Sequence, residues 1–254
     1  MSILLPLYVY PWAGVWDPLY KVATSHPTLN FTVIVNPCSG PCVRRLPEQP
    51  YLDEIPKLKN YPNIRTLGYV ATNYTNKGID SVLEEIATYA NWTALTGVKG
   101  MDVQGIFFDE TPGTYDWEKY AYLKKATDKV KGEKGKGLVH NPGTIPGTLS
   151  NYLDLADITV IFEETFMNWL NKFNFDALKS FSSLIAQVSN PKSRLGIILH
   201  STPTLADSAM QWVVQEMKGM VGWMFLTSVG IKSEYFHSFS AIFEGFIDAV
   251  GRAG

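Results

Sequence analysis

Acidic residues directly follow two short apolar runs of the sequence. Asp109 and Glu110 come after Gly-Ile-Phe-Phe, and Glu163 and Glu164 come after Val-Ile-Phe. A pair of carboxyl groups held about 5 to 10 Å apart can hydrolyse a glycosidic bond. One group protonates the leaving oxygen, while its ionised partner attacks the anomeric carbon or activates a water molecule. These residues therefore predict carboxyl-catalysed cleavage of a sugar linkage.

The same acids also have a purely structural interpretation. Asp109 or Glu110 could cap the helix expected from Trp117 or pair with Lys119, and the two glutamates could be solvated loop residues. Consecutive residues of a strand point to opposite sides, so the two members of each acidic pair are expected to have different roles.

Other polar and aromatic residues stand near the ends of the candidate strands and could bind a sugar. Aromatic rings pack on the apolar face of a pyranose, and hydroxyl or amide groups bond its edges. The candidate substrate-binding residues are Tyr8, Tyr10, Trp12, Asn36, Tyr69, Asn141, His200 and Trp223. Core packing is the alternative for part of the aromatic set, and His200 could be a hydrogen-bonded core histidine.

Neither a metal nor a cofactor is predicted. The sequence contains no His-Glu-x-x-His pattern, and its four histidines are scattered. It also lacks a Walker loop, a serine-hydrolase elbow and a glycine-rich dinucleotide motif after a strand. These absences remove the commonest rival classes of enzyme.

Eight runs rich in β-branched and aromatic residues alternate with segments of helical period. The strands are predicted at 3–10, 31–36, 65–72, 105–110, 137–141, 158–164, 195–201 and 222–228. The helices are predicted after Asp17 and at 52–58, 78–89, 117–130, 148–155, 176–188, 204–217 and 235–250, with caps at Asp116 and Thr204. This order predicts an α/β fold, a (β/α)8 TIM barrel as one domain over 1–254, with an open doubly wound sheet as the alternative. In such a barrel the acids meet at the C-terminal rim, where active sites lie.

The composition limits the classes of molecule that this protein is expected to bind. The chain has 254 residues, 18% of them charged, and a net charge of -2, so no basic field favours nucleic acid. No apolar run approaches the roughly 20 residues of a membrane-spanning helix. We expect a monomer whose partner is a polysaccharide.

Two features favour export to an oxidising compartment. Asn30, Asn73 and Asn91 each begin an Asn-x-Thr sequon, which is a glycan acceptor in a secreted protein. Cys38 and Cys42 could form a disulfide or remain two packed thiols. We therefore expect a secreted or cell-surface protein whose signal or anchor is absent from this chain.

Five segments together resemble the spherulin-4 family, glycoside hydrolase family 135. They are LPLYVYP, IVNPCSGP, LGYVATNY, GIFFDE and VIFEETF, and the resemblance spans essentially the whole chain. That family comprises secreted or membrane-anchored fungal and bacterial (β/α)8 proteins. Its fungal members are similar to endo-α-1,4-N-acetylgalactosaminidases that cleave galactosaminogalactan, a polymer of cell walls and biofilm matrix.

The resemblance implies residue roles. The family's Asp-Glu pair falls on Asp109 and Glu110, and its later glutamate falls on Glu163. Glu164 stands where the family is expected to have a small residue. The family's glutamate could therefore correspond to Glu164 instead of Glu163.

The activity implied is endo-hydrolysis of α-1,4-linked N-acetylgalactosamine. Asp109 would be nucleophile or base, Glu163 acid, and Glu110 an orienting or substrate-binding group. Retention of configuration is favoured over inversion. The alternatives are a non-catalytic carbohydrate-binding or cell-wall-associated structural protein, and an amino-sugar deacetylase.

Overall fold

Eight parallel strands pair in chain order, and the last pairs with the first to close a barrel. The structure, a computed structural model, describes residues 1–43, 46–133, 137–144, 152–172, 190–231 and 234–253. The strands are β1 Ser2–Leu7, β2 Asn30–Val35, β3 Ile64–Ala71, β4 Gly105–Asp109, β5 Gly137–His140, β6 Ile158–Thr165, β7 Leu195–His200 and β8 Trp223–Leu226. The predicted (β/α)8 barrel is confirmed, and the open sheet is excluded because β1 pairs with both β2 and β8.

Helices surround the barrel in the connections between strands. In the described residues they are α1 Asp17–Ser25, α2 Gln49–Glu54, α3 Ile79–Ala90, α4 Trp92–Thr96, α5 Trp117–Gly132, α6 Phe166–Lys172, α7 Pro191–Arg194, α8 Asp207–Met220 and α9 Phe243–Ala253. Short 3-10 helices span Ile55–Asn60 and Asn73–Thr75. Among these helices, none combines the length and apolar character needed to cross a membrane.

The two predicted caps had different outcomes. Asp116 accepts hydrogen bonds from the backbone nitrogens of Glu118 and Lys119 at 2.9 and 3.0 Å, so the cap of α5 is confirmed. The cap at Thr204 is wrong, because α8 begins at Asp207 and its N-cap residue, Ala206, makes no side-chain bond.

The helix predicted at 235–250 is wrong at its beginning. Helix α9 begins only at Phe243, because the rings of Tyr235 and Phe236 turn toward the barrel mouth. Phe236 is buried there, with its ring 5.7 Å from that of Tyr8. The predicted helix 176–188 and residues 148–151 of the predicted helix 148–155 lie outside the described residues.

Glycines allow β4 and β5 to lie close together. A Cβ atom added to Gly105 would lie 1.9 Å from the carbonyl oxygen of Gly137. Residues 105–108 of β4 pair in register with 137–140 of β5. This pairing places Asp109, at the end of β4, beside Asn141, which directly follows β5.

Strand β6 contains an irregularity next to its glutamates. Its register against β7 shifts between Val160 and Phe162, which leaves Ile161 without a partner in the ladder. Such an extra residue re-aims the side chains that follow it. Here it precedes Glu163 and Glu164, so it decides which of them faces the barrel mouth.

The loop after β2 is closed by a disulfide between Cys38 and Cys42, so the alternative of two packed thiols is excluded. Asn36 Oδ1 accepts a hydrogen bond of 2.8 Å from the backbone nitrogen of Gly40 within this loop. Trp92 Nε1 donates to the carbonyl oxygen of Pro41 at 3.0 Å and anchors the loop to α4.

Candidate active site

Asp109 lies at the C-terminal end of β4 and receives three hydrogen bonds. The hydroxyl of Tyr69 donates to Oδ2 at 2.9 Å, and Asn141 Nδ2 donates to Oδ1 at 2.8 Å. The backbone nitrogen of Glu110 donates to the same Oδ1 at 2.9 Å. Because all three groups donate, they favour the ionised form of this carboxyl group. The interpretation of Asp109 as the cap of α5 is wrong, since Asp116 holds that position.

Glu163 lies beside Asp109 and shares a donor with it. Asn141 Nδ2 also donates to Glu163 Oε2 at 2.5 Å. The two oxygens that bond this nitrogen therefore lie no more than about 5 Å apart, a spacing suited to a glycosidase pair. Asn141 is itself fixed, because its Oδ1 accepts from the backbone nitrogen of Gly143 at 3.0 Å.

The two carboxyl groups differ in how strongly their ionised forms are stabilised. Burial, and secondarily the charge of Asp109, raises the pKa of Glu163 to about 7, although the Asn141 bond opposes the shift. Burial also raises the pKa of Asp109, but three hydrogen bonds act against that rise. Paired carboxyl groups in environments of this kind can divide into a protonated acid and an ionised partner.

Glu110 and Glu164 follow the paired acids and have different environments. Glu110 lines the cleft and has a left-handed backbone with φ of 52°. Glu164 Oε2 instead accepts hydrogen bonds from the backbone nitrogen of Thr165, at 2.9 Å, and from the side chain of Asn168. The structure thus brings Glu163, and not Glu164, to Asp109.

A cleft with two cavities surrounds the acids, and we name each cavity by its lining. The amide lobe, of about 340 Å³, has its own lining of Tyr74, Asn141, Pro142, Gly143 and Thr144. The aromatic lobe, of about 310 Å³, has its own lining of Tyr8, Tyr69, Phe236 and His237. Both lobes share Asp109, Glu110, Glu163 and Tyr235. The carboxyl pair therefore lies at the junction of the two lobes.

Three of the predicted binding residues line this cleft, and a fourth, His200, contacts a residue that lines it. Tyr8 and Tyr69 meet edge to face in the aromatic lobe with ring centroids 5.5 Å apart, and Asn141 lines the amide lobe. His200 stacks on Tyr235 with ring centroids 4.3 Å apart. Burial lowers the pKa of His200, which favours the neutral form of the ring that stacks on Tyr235.

Tyr10 and Trp12 form a separate patch beyond the residues that line the cleft. Their ring centroids are 4.7 Å apart, and 64% of Trp12 is exposed. The hydroxyl of Tyr10 donates to Glu48, and its ring packs edge to face on buried Tyr51. The patch follows β1 on the same rim as Tyr8.

Two predicted binding residues lie elsewhere. Asn36 bonds Gly40 inside the disulfide loop. Trp223 begins β8 opposite Ser2, at the N-terminal end of the barrel, and its Nε1 donates to the carbonyl oxygen of Ser193 at 3.0 Å. Asn36 is engaged inside its own loop and Trp223 lies at the end of the barrel opposite the acids, so neither is a candidate binding residue.

Tyr74 and Tyr235 line the cleft, but the sequence interpretation missed them. Tyr74 stands two residues after Thr72, in a loop that continues the polar end of β3, so extending the search past strand ends could have found it. Tyr235 fell inside a predicted helix, and no sequence signal marks it as a cleft residue. Within the described ranges, no three His, Cys, Asp or Glu side chains are grouped to hold a metal ion.

A closed (β/α)8 barrel with paired carboxyl groups at its C-terminal rim has a glycoside-hydrolase-like fold. The chain belongs to spherulation-specific family 4, the spherulin-4 family, whose sequence profile matches residues 2–250. The expected family membership is thereby confirmed.

Two solved structures are similar to this chain. One is the crystal structure of Aspergillus clavatus Sph3 in complex with GalNAc, with 39% identity, coverage of 98% of this chain and 97% of that chain, and a TM-score of 0.89. The other is a noncanonic maltogenic alpha-amylase, AmyB from Thermotoga neapolitana, with 12% identity, coverage of 99% and 76%, and a TM-score of 0.59. At that identity the amylase shows the fold alone. No curated protein matches the chain.

Proposed function

We propose that this protein is an endo-acting glycoside hydrolase that cleaves α-1,4-linked N-acetylgalactosamine in a galactosaminogalactan-type polysaccharide. The observation that carries the proposal is the bridge from Asn141 Nδ2 to both Asp109 and Glu163 at the junction of two lobes. A sugar unit in each lobe would place the bond between them over the carboxyl pair. The complex of its relative Sph3 with GalNAc supports this choice of sugar.

The environments of the acids support separate roles. Glu163, whose pKa is raised to about 7, acts as the acid and gives its proton to the leaving glycosidic oxygen. Asp109, held by three donors, attacks the anomeric carbon as the carbon–oxygen bond breaks, forming a covalent glycosyl-enzyme. Glu163, now ionised, then takes a proton from water as that water attacks the same carbon and releases Asp109.

Retention of configuration follows from this scheme. The two oxygens that accept from Asn141 Nδ2 are at most about 5.3 Å apart. This limit lies at the roughly 5–5.5 Å spacing of retaining enzymes and below the larger spacing of inverting ones. The alternative of direct attack by water requires room between the groups for that water. Glu110 is proposed to orient the substrate from the shared floor of both lobes.

Further candidate residues fit around this centre. Tyr8 and Tyr69 are proposed to contact the sugar in the aromatic lobe, with His200 positioning Tyr235. Tyr10 and Trp12 are proposed as outer contacts for a longer chain. The disulfide supports a secreted or cell-surface location, since such bonds persist in oxidising compartments.

The test is cleavage of purified galactosaminogalactan, followed by mass spectrometry of the released oligomers. Asp109→Asn and Glu163→Gln should each lower the rate by roughly a hundredfold to ten-thousandfold, because each removes one of the two reacting carboxyl groups. Both variants should still bind the polymer. Oligomers with new reducing ends, rather than free acetate, separate hydrolysis from deacetylation.

Glu164→Gln is the matched control, because it removes a carboxylate one residue from Glu163 that bonds Asn168 instead of facing Asp109. Its rate should stay within about threefold of the wild type. Full activity in Asp109→Asn and Glu163→Gln would refute the catalytic assignment. Binding of the polymer without cleavage by the wild type would favour the non-catalytic carbohydrate-binding alternative.

A further inference from the structure

Tyr74 projects from an unusual turn at the edge of the amide lobe. It lies in the 3-10 helix Asn73–Thr75, and its side chain lines the lobe while 51% of the residue remains exposed. Among the residues that line only this lobe, Tyr74 is the aromatic one, since the others are Asn141, Pro142, Gly143 and Thr144. It is therefore the flat apolar surface that this lobe offers to a ligand in addition to the shared Tyr235.

The backbone of this turn is held in a sparsely populated conformation. Asn73, Tyr74 and Thr75 have φ values of 48°, 53° and 73°. Left-handed backbone is unfavourable for residues other than glycine, most of all for a β-branched residue such as Thr75. A conformation of this cost persists only where surrounding contacts hold it.

The contacts that hold the turn come from Glu110, which directly follows β4. The backbone nitrogen of Tyr74 donates to the carbonyl oxygen of Glu110 at 2.6 Å. The hydroxyl of Thr72 donates to the same oxygen at 2.7 Å, and Glu110 is itself left-handed. The backbone of Tyr74 is thus held by Glu110, the residue that directly follows Asp109.

We propose that Tyr74 is a substrate-binding residue that stacks on the sugar ring held in the amide lobe, next to the bond that is cleaved. The inference rests on the proposed function and names a ligand class for one lobe, the pyranose unit of an amino-sugar polymer. The face of the Tyr74 ring supplies an apolar surface, which the polar side chains of Asn141 and Thr144 do not provide. Because the turn is anchored to Glu110, the backbone that carries the Tyr74 ring is fixed before substrate arrives.

The experiment compares two variants made in a host that adds no N-glycans, because Asn73 begins a sequon. Tyr74→Phe keeps the ring. Tyr74→Asn removes it but keeps a residue type that tolerates left-handed backbone. Each is also built on Glu163→Gln, so that binding of galactosaminogalactan oligosaccharides of defined length can be measured by calorimetry without cleavage.

Tyr74→Asn should weaken binding about tenfold for oligosaccharides long enough to fill both lobes, while Tyr74→Phe stays within about twofold. In the active background, Tyr74→Asn should raise KM more than it lowers kcat. Trp212→Asn is the matched control, since Trp212 is an aromatic residue of α8 that is 53% exposed, and it should bind as the parent does. Unchanged binding by Tyr74→Asn, or an equal loss in the control, overturns the inference.

A third variant covers failure of Tyr74→Asn to fold. Tyr74→Trp on Glu163→Gln keeps a ring, and its fluorescence should change on addition of oligosaccharide beyond the change of the parent; the absence of an added change overturns the inference. Cleavage that is independent of Tyr74 would remove this inference and leave the proposed function. Binding that depends on the Tyr74 ring, without cleavage by the wild-type chain, would refute the proposed hydrolase activity and leave the binding role of Tyr74.

Discussion

At the scale of single residues, the site is organised by one amide. Asn141 gives hydrogen bonds to both Asp109 and Glu163, so one neutral amide holds the two carboxyl groups in a single arrangement. The rest of the environment is unequal, since Asp109 has two further donors. A shared donor with unequal surroundings lets two similar groups differ in proton affinity.

The first prediction concerns pH. Because burial and Asp109 raise the pKa of Glu163 to about 7, kcat/KM should fall as pH rises through that value and the acid loses its proton. A pH profile on galactosaminogalactan oligosaccharides measures this limb. A rate that stays constant to pH 9 would contradict the role of Glu163 as the acid.

The same pKa shift also affects stability, which supplies a control independent of catalysis. Between pH 4.5, the ordinary value, and about 7, the folded protein binds more protons at Glu163 than the unfolded chain does. The contribution of Glu163 to the free energy of unfolding is therefore fully present below pH 4.5 and is lost as the pH rises to about 7. Glu163→Gln should lack this loss, so denaturation at pH 8 should find the variant more stable relative to wild type than at pH 4.

The second prediction concerns Asn141. Asn141→Leu removes a hydrogen-bond donor that favours the ionised form of each carboxyl group. The pKa values of both groups should therefore rise, and the alkaline limb of the pH profile should move to higher pH. We expect kcat/KM to fall by roughly a hundredfold, as for loss of a positioned donor elsewhere. Asn168→Leu is the control, because it removes the same type of amide donor from Glu164. An unmoved pH profile in Asn141→Leu would show that the bridge does not set these pKa values.

Which residues meet could be predicted only in part from the sequence. Asp109 and Asn141 were expected on one rim because polar side chains at the ends of parallel strands meet there, whereas Tyr69 was expected only as a sugar-binding ring. The choice between Glu163 and Glu164 could not be made, because it depends on the extra residue in β6, which alternation of strand side chains does not reveal. Tyr235 was missed because its long-range packing overrides a local helical pattern.

At the scale of elements, the approach of β4 to β5 positions Asp109 against Asn141. Gly105→Ala would place a methyl group against the backbone of Gly137, and we expect it to lower the free energy of unfolding by about 1–3 kcal/mol. It should also lower activity, because the ends of both strands must shift. Chemical denaturation and a rate assay measure the two effects.

Gly219→Ala is the control for that substitution. A Cβ atom at Gly219, within α8, meets no other atom within 4 Å, so alanine should raise stability by up to about 1 kcal/mol. Equal behaviour of the two variants would show that the β4–β5 contact is not tight in solution.

The strands were the most predictable elements and the helices the least. Strand middles are buried on both faces, so each appears in the sequence as an apolar run bounded by polar residues. Helix ends depend on local capping and on competing contacts. Asp116 made its cap visible in the sequence, whereas α9 begins eight residues after Tyr235 for reasons of packing that no local pattern contains.

At the scale of the whole molecule, closure of the barrel leaves no unpaired edge among the eight described strands. Unpaired edges are a common route to association between chains, so we expect a monomer. Size-exclusion chromatography with light scattering should give a mass near 28.4 kDa. A stable dimer at micromolar concentration would contradict this prediction and point to the exposed aromatic residues of the rim as an interface.

The irregularity in β6 has a consequence for how such a site can change through mutation. Ile161 is the extra residue, and two glutamates follow it in succession. Deletion of the Ile161 codon would remove the residue that has no partner in β7 and would leave Val160 opposite Gly196 and Phe162 opposite Ile197, so Glu163 would stay opposite Ile198. The strand can thus lose one residue at this point and keep its acid in the site, whereas a deletion within a regular strand turns every following side chain to the opposite face.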